Sequence, residues 1–283
     1  MRLASHSAPA ADDLLVPLGV GMATTRWVIP DGDGLAASVH EIGSGVPLVF
    51  LHGLVGLNEH WEGVVDRVSG RARCVMFELP LLQLRGEHCS IHGATDLTAR
   101  FLRDYFNEPV VLVGNSFGGH VASRLAIYCP ELVRGLVLAG ASGLIEKSMV
   151  ADVQIRPSRE WLRRKIGELF FDPAAMNERD LDRAHAELSD RGGARAMVKL
   201  SRSARRDHIG DAMSQIRQPT LLIWGRQDIV TPPEAADGFQ RNIPHAKMVW
   251  LDRCGHAPMI EKPELFAQAV AEFLPVLDAK NPR

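Results

Sequence analysis

No stretch of this chain is apolar for the roughly 20 residues that a bilayer-spanning helix needs, so the sequence offers no membrane segment. Cysteine is scarce. The four, Cys74, Cys89, Cys129 and Cys254, lack metal-ligand spacing, and Cys74 and Cys129 fall in stretches that read as core. Buried, reduced thiols of this kind favour a reducing compartment. An excess of one charge is lacking too: 32 Lys and Arg against 34 Asp and Glu leave a net charge of −2. That balance gives no electrostatic case for nucleic acid or an anionic membrane as partner. The apolar run at 14–21 follows Asp12 and Asp13 and is broken by Pro17, whereas a secretory leader has a longer apolar core behind a basic stretch. The expectation is a cytoplasmic protein whose residues 1–24 form an N-terminal extension. At 283 residues and 46% hydrophobic, the chain suits one large α/β domain carrying an insertion.

Apolar runs alternate with segments of helical spacing. Residues 25–29 and 35–41 read as an antiparallel pair around the turn at 30–34. Strands are predicted near 48–51, 74–77, 110–113, 136–139, 220–224 and 247–251, and helices at 59–68, 96–106, 117–129, 233–240 and 263–274. Such alternation implies a parallel sheet with right-handed crossovers. The interval between residues 139 and 220 is too long for one crossover and has helical spacing in three pieces, 159–171, 177–189 and 194–207. It therefore reads as an insertion rather than a loop.

Chemistry enters at Ser116. It sits in Gly114-Asn115-Ser116-Phe117-Gly118-Gly119, between the strand Val110-Val111-Leu112-Val113 and a helix that stops at Pro130. A serine on a sharp strand-to-helix turn has its hydroxyl lifted off the sheet edge by a strained backbone. Glycines two places before and after it let helix and strand approach closely. A serine alcohol needs a general base, and the base an orienting acid. Asp228 follows the strand 220–224 and His256 follows the strand 247–251, giving the order serine, acid, histidine. Parallel strands align their C-terminal ends, so these three loops converge on one edge. The blander readings are that Asp228 caps a helix beginning near Pro232 and that His256 is a surface-loop histidine; the chain order favours the catalytic ones.

These motifs resemble the α/β-hydrolase superfamily, from about residue 40 to the C-terminus. The resemblance implies an α/β-hydrolase fold: a mostly parallel, eight-stranded-type sheet with helices on both faces and an inserted helical cap. Residues 25–142 and 217–283 would form the core and 143–216 the cap. It implies Ser116 as nucleophile, His256 as general base and acid, and Asp228 as the residue that holds His256. His52-Gly53, after the apolar run at 46–51, resembles the family's oxyanion segment. The backbone N–H groups of Leu54 and Phe117 would then form the oxyanion hole, supported by His52 and Gly53, with Gly114, Asn115 and Gly118 shaping the nucleophile turn. Neither a metal nor an organic cofactor is implied. The expected partner is a small-molecule ester, and the expected reaction is hydrolysis of a small or medium carboxylic ester through an acyl-enzyme.

Alternatives remain open. Asn115 resembles a subgroup that hydrolyses carbon–carbon bonds of vinylogous diketones, but His52-Gly53-Leu54-Val55-Gly56 lacks that subgroup's Gly-Pro-Gly and Ala257 stands where it tends to carry Trp. Transfer to an acceptor other than water, or a ligand-binding member with little turnover, are further readings. Relatives usually carry an Asp and a Gly-rich turn after the fourth strand; here Glu78 and the apolar segment at 79–86 replace them, a loop expected to reach toward the pocket. In the insertion, Trp161, Leu162, Ile166, Leu169, Phe170 and Phe171 are candidates for pocket lining or for docking, and one inward arginine is a candidate for a substrate carboxylate. Cys254 lies near His256 but reads as structural. His88 and His92 have a metal pair's spacing, without a third ligand or a convincing helix.

Overall fold

Alternating side chains assign each strand's residues to one of two apolar layers. Leu48, Phe50, Cys74, Met76, Val111, Val113, Val137, Ala139, Leu221 and Ile223 face one layer. Their neighbours Val49, Leu51, Val75, Phe77, Leu112, Leu136, Leu138, Leu222 and Trp224 face the other. The computed structural model describes residues 22–146 and 157–279. Residues 1–21 of the expected N-terminal extension, and 147–156 of the insertion, lie outside the described residues.

The strands are β1 (Ala23–Val28), β2 (Ala36–Ile42), β3 (Pro47–Leu51), β4 (Arg73–Glu78), β5 (Val110–Asn115), β6 (Val133–Ala139), β7 (Thr220–Gly225) and β8 (Lys247–Leu251). They form one sheet in the order β1-β2-β4-β3-β5-β6-β7-β8. The β1–β2 and β2–β4 pairs are antiparallel and all later pairs parallel. The fold is therefore the α/β-hydrolase fold, with its mostly parallel eight-stranded sheet. Helices α1 (Glu62–Val68) and α9 (Pro263–Ala279) cover the first layer. Helices α2 (Ile91–Tyr105), α3 (Phe117–Tyr128) and α7 (Pro233–Asn242) cover the second. Between β6 and β7 the chain forms α4 (Arg159–Gly167), α5 (Glu178–Ser189) and α6 (Arg191–Arg206). The short α8 (Pro258–Glu261) follows β8. No helix among the described residues is long and apolar enough to cross a membrane.

Helix starts differ from the sequence expectation where a cap was hidden. Helix α2 starts at Ile91 rather than residue 96, because the Ser90 side chain accepts from the Gly93 N–H. His88 thus precedes the helix, so His88 and His92 are not a helical pair; His92 approaches Asp207 at 3.5 Å instead. Asp190 starts α6 at Arg191 in the same way, by accepting from Gly193. The loop after β4 also departs from expectation. Leu81, Leu82 and Leu84 are buried in the second core layer, and none of residues 79–86 borders the cavity above Ser116. Three leucines gain more by leaving water than by edging a half-open pocket.

The inserted helices are fastened to the core by polar contacts. Asp207, at the end of α6, accepts from Arg124 Nη1 with both oxygens (2.7 and 2.6 Å) and lies 3.0 Å from His120 Nε2. Burial pushes its carboxyl up, but His120 and Arg124 outweigh burial and hold it at about 2. On α5, Asp180 Oδ2 meets His60 Nε2 at 3.0 Å, and Arg183 Nη2 donates to the Val55 carbonyl at 2.5 Å. In the first layer, Phe50 packs on Trp61, which packs edge-on to Phe266 (centroids 5.3 and 5.8 Å). Phe50→Ala should lower stability by about 3–5 kcal/mol through the cavity it opens, read as a lower midpoint in urea denaturation with an unchanged slope.

Candidate active site

Strand β5 ends at Asn115 and helix α3 begins at Phe117. Ser116 between them has φ 52° and ψ −117°, a conformation side chains rarely adopt. Main-chain bonds hold it there: its N–H donates to Ala139 O (3.1 Å), and its carbonyl accepts from His120 (3.0 Å) and Ser142 (3.1 Å). The flanking glycines are obligatory for the close approach. A Cβ on Gly114 would lie 2.5 Å from the Gly118 carbonyl oxygen, and one on Gly118 would lie 2.2 Å from that of Leu51. Ser116 is part-exposed and borders a cavity of about 140 Å³, several times the space one water requires.

Asp228, in the loop after β7, has both carboxylate oxygens engaged. Oδ1 accepts from the N–H groups of Val230 (2.8 Å) and Thr231 (3.0 Å). Oδ2 meets His256 Nδ1 at 2.9 Å and the Thr231 hydroxyl at 2.9 Å. With Nδ1–H donated to Asp228, His256 keeps Nε2 available as a base. His256 is buried and borders the same cavity as Ser116. Burial pushes its pKa down, but Asp228 outweighs burial, helped by Glu146 and Glu261, so the net shift is upward. Asn115 Nδ2 donates to the carbonyls of Ala139 and His256, both at 3.0 Å, tying the end of β5 to the histidine loop.

The segment at 52–58 forms another wall. An added Cβ on Gly53 would lie 3.5 Å from Ser116 Cβ, so this turn rests against the serine. Gly56 N–H donates to Gly53 O (3.0 Å), and His52 Nδ1 meets the same carbonyl at 2.7 Å. Only a protonated Nδ1 can make that contact. Burial lowers the His52 pKa, so the ring is the neutral Nδ1–H tautomer. Glu78 accepts from Asn58 N–H (2.6 Å) beneath the turn, and Arg183 binds Val55 O above it. Leu54 borders the cavity. Phe117 is the first residue of α3, so its N–H has no acceptor within the helix.

Of the site residues expected from the sequence, Gly53, Leu54, Asn115, Ser116 and His256 border the cavity and Asp228 meets His256 behind it, whereas the pocket candidates of the insertion divide. Ile166, Leu169 and Phe170 border the cavity; Leu162 is buried in the core and Phe171 is 41% exposed. No lysine or arginine among the described residues borders it, whereas Glu146 and Asp180 do. Burial raises the Glu146 pKa. Glu146, Thr231, the His60–Asp180 pair and Glu261 escaped the sequence reading. Only Thr231, three residues after Asp228, carries a local signal, that of a side chain closing an Asx-type turn. Burial raises the pKa of the Cys254 thiol, with Glu261 adding to the rise, so this thiol does not compete as a nucleophile. Among the described residues no His, Cys, Asp and Glu group is placed to hold a metal.

A family model described as the alpha/beta hydrolase family matches residues 48–269. The pimeloyl-[acyl-carrier protein] methyl ester esterase of Nitrosomonas europaea is 31% identical over 246 residues, covering 81% of this chain and 97% of that protein. The 2-hydroxymuconate semialdehyde hydrolase of a Pseudomonas species is 30% identical over 271 residues, covering 87% and 93%. Among solved structures, an alpha/beta hydrolase enzyme from the sediment metagenome of the Mar Chica lagoon, Morocco, superposes with a TM-score of 0.70 at 29% identity, covering 94% of this chain and 100% of its own.

A fluorophosphonate probe should add one adduct mass, and Ser116→Ala should abolish the adduct. His256 must be neutral to take a proton. With its pKa raised, the labelling rate should climb with pH through a midpoint above the ordinary imidazole value of about 6.5, read by stopped-time mass spectrometry.

Proposed function

The chain belongs to the alpha/beta hydrolase family, and we propose that it is a serine hydrolase cleaving a small or medium carboxylic ester that carries no anionic group. The observation that carries this reading is the His256–Asp228 bond of 2.9 Å beside a strained Ser116, all at the rim of one largely apolar cavity. Ser116 attacks the ester carbonyl as His256 Nε2 takes its proton. The N–H groups of Leu54 and Phe117 receive the oxyanion, each worth about 3–4 kcal/mol to the transition state. His256 then protonates the leaving alcohol, and the same base activates water to release the acid. Asp228 fixes the ring's tautomer and favours its cationic form. The inserted helices, with residues 143–216 as a cap over the core, supply Ile166, Leu169, Phe170, Met176 and Met197 as an apolar wall that excludes water.

A carbon–carbon hydrolase is the second reading, supported by the relative that acts on 2-hydroxymuconate semialdehyde and by another named for 2-hydroxy-6-oxo-2,4-heptadienoate. Both names specify carboxylates. A carboxylate here would meet Glu146 and Asp180 with no described Lys or Arg to receive it. Asn115, the residue that resembled that subgroup, uses its amide on Ala139 and His256. Both points favour the ester.

Two p-nitrophenyl esters of equal length, one ending in methyl and one in carboxylate, separate the readings at pH 8. The neutral ester should have the higher kcat/KM by at least about tenfold, equivalent to about 1.4 kcal/mol. Fast bleaching of a dienol diketone carboxylate, with slow ester turnover, would reverse the choice. Asp228→Asn should lower kcat by roughly 10⁴-fold while leaving the melting temperature close to the parent's, because it spoils the tautomer more than the shape.

A further inference from the structure

The loop that carries His256 is gripped from outside the sheet. The His256 N–H donates to the Leu169 carbonyl at 2.7 Å, a main-chain bond between this loop and the end of the first inserted helix. One residue before His256 and two after Leu169, a single side chain repeats that link. Glu261, the last residue of α8, accepts from Gly255 N–H with Oε1 (2.7 Å) and from Phe171 N–H with Oε2 (2.8 Å). The two strands of backbone touch: a Cβ on Gly255 would lie 2.5 Å from Leu169 O and 2.8 Å from Phe171 N. Only a glycine fits there, and only a group with two acceptor atoms spans both N–H groups. On the opposite side Asn115 Nδ2 holds the His256 carbonyl.

We propose that Glu261 is a positioning residue, which fixes His256 over Ser116 by bracketing the histidine loop and the inserted segment at 169–171 as one unit. This rests on the assignment of His256 as base. The consequence is that the pocket wall at Leu169 and Phe170 and the base at His256 keep a constant spacing: substrate that shifts the wall shifts the imidazole with it. Charge adds a second effect. The titratable groups facing His256 are Asp228 from the β7 loop, Glu146 from the segment after β6, and Glu261 from α8, and all three favour the imidazolium. Glu261 itself is half-buried, and burial raises its pKa, while its backbone hydrogen bonds act in the opposite sense.

Glu261→Gln keeps the shape but leaves one acceptor where two are needed, and removes the charge. It should lower kcat for a p-nitrophenyl ester about tenfold, with KM changed less than threefold, and move the acid limb of kcat/KM to lower pH. Glu261→Asp should lower kcat similarly while leaving the acid limb where the parent has it, because the charge stays and the reach is lost. Equal kcat for parent and Gln variant, or a kcat loss with both acid limbs unmoved, would overturn the proposal. Amide hydrogen exchange on the parent protein tests the bracket without any substrate and without any variant having to fold. Gly255, His256 and Phe171 should exchange at least a hundredfold more slowly than exposed loop amides; fast exchange at all three would also overturn it. Absent ester turnover with protected amides would instead count against the esterase reading and leave the bracket standing.

Discussion

The backbone of Ser116 is the constraint on which the rest of the site depends. A non-glycine residue at φ 52°, ψ −117° costs of the order of 1–3 kcal/mol and persists only where its surroundings over-determine it. They do so here on three sides. Ala139 at the end of β6 takes its N–H, His120 and Ser142 bind its carbonyl, and glycines at 114 and 118 let β5, α3 and the end of β3 meet without side chains between them. Release of any of these would let the turn relax toward ordinary helix geometry and draw the hydroxyl back from the cavity. The twofold layering of the sheet matters to function for this reason. Buried Val111, Val113, Leu136 and Leu138 keep β5 and β6 in register, with Asn115 opposite Ala139, so that the strain has a fixed frame to act against.

The remaining groups are placed by loops of one rim, yet none relies on its own loop alone. Asp228 is held by the N–H groups of Val230 and Thr231, and Thr231 reaches on to the Gly140 carbonyl at 3.0 Å. The segment at 52–58 lies between Glu78 of β4 below and Arg183 of α5 above. The bonds made by Thr231, Glu78 and Arg183 each run from a side chain to the backbone of a different segment. Such contacts pin a loop better than apolar packing does, because a hydrogen bond fixes direction as well as distance.

The divide between what the sequence made legible and what it did not follows this distinction. The central parallel strands were legible because each is built on an apolar run, as at Val110 to Val113, and the serine turn because Gly114, Ser116 and Gly118 must stand at fixed offsets. The expected convergence of Ser116, Asp228 and His256 followed from parallel strands ending at one edge. Helix starts at Ile91 and Arg191 were hidden because glycine at the third position looks like a breaker, whereas in both cases its N–H is the one the capping side chain binds. Glu146, Asp180 and Glu261 were illegible for a deeper reason. Each acts on a partner far off in sequence, such as Glu261 on Phe171, and no local pattern records such a meeting. The apolar segment at 79–86 was read as pocket-facing because it follows a strand whose end lies near the site. Its leucines instead bury beneath the inserted helices.

The arginines of the insertion show why composition is a poor guide to the charge of a cavity. Arg159 and Arg163 both meet Glu178, and Arg159 also meets Asp182, all on exposed helix faces where an ion pair contributes little. Arg183 turns inward, but to a backbone carbonyl and to Glu187, so its charge props the turn at Val55 and is spent before it reaches the pocket. The surface of the insertion is thus rich in cations while the cavity beneath it is bordered by Glu146 and Asp180. A long guanidinium gains by keeping water or a carboxylate at its tip; a short carboxylate near an imidazole gains from the positive charge that develops when the ring takes a proton. The reaction proposed for Ser116 creates that charge on His256 at each attack. In the reaction proposed above, Asp228, Glu146 and Glu261 all favour that charge on the base, and Glu146 is the one of the three that also borders the cavity.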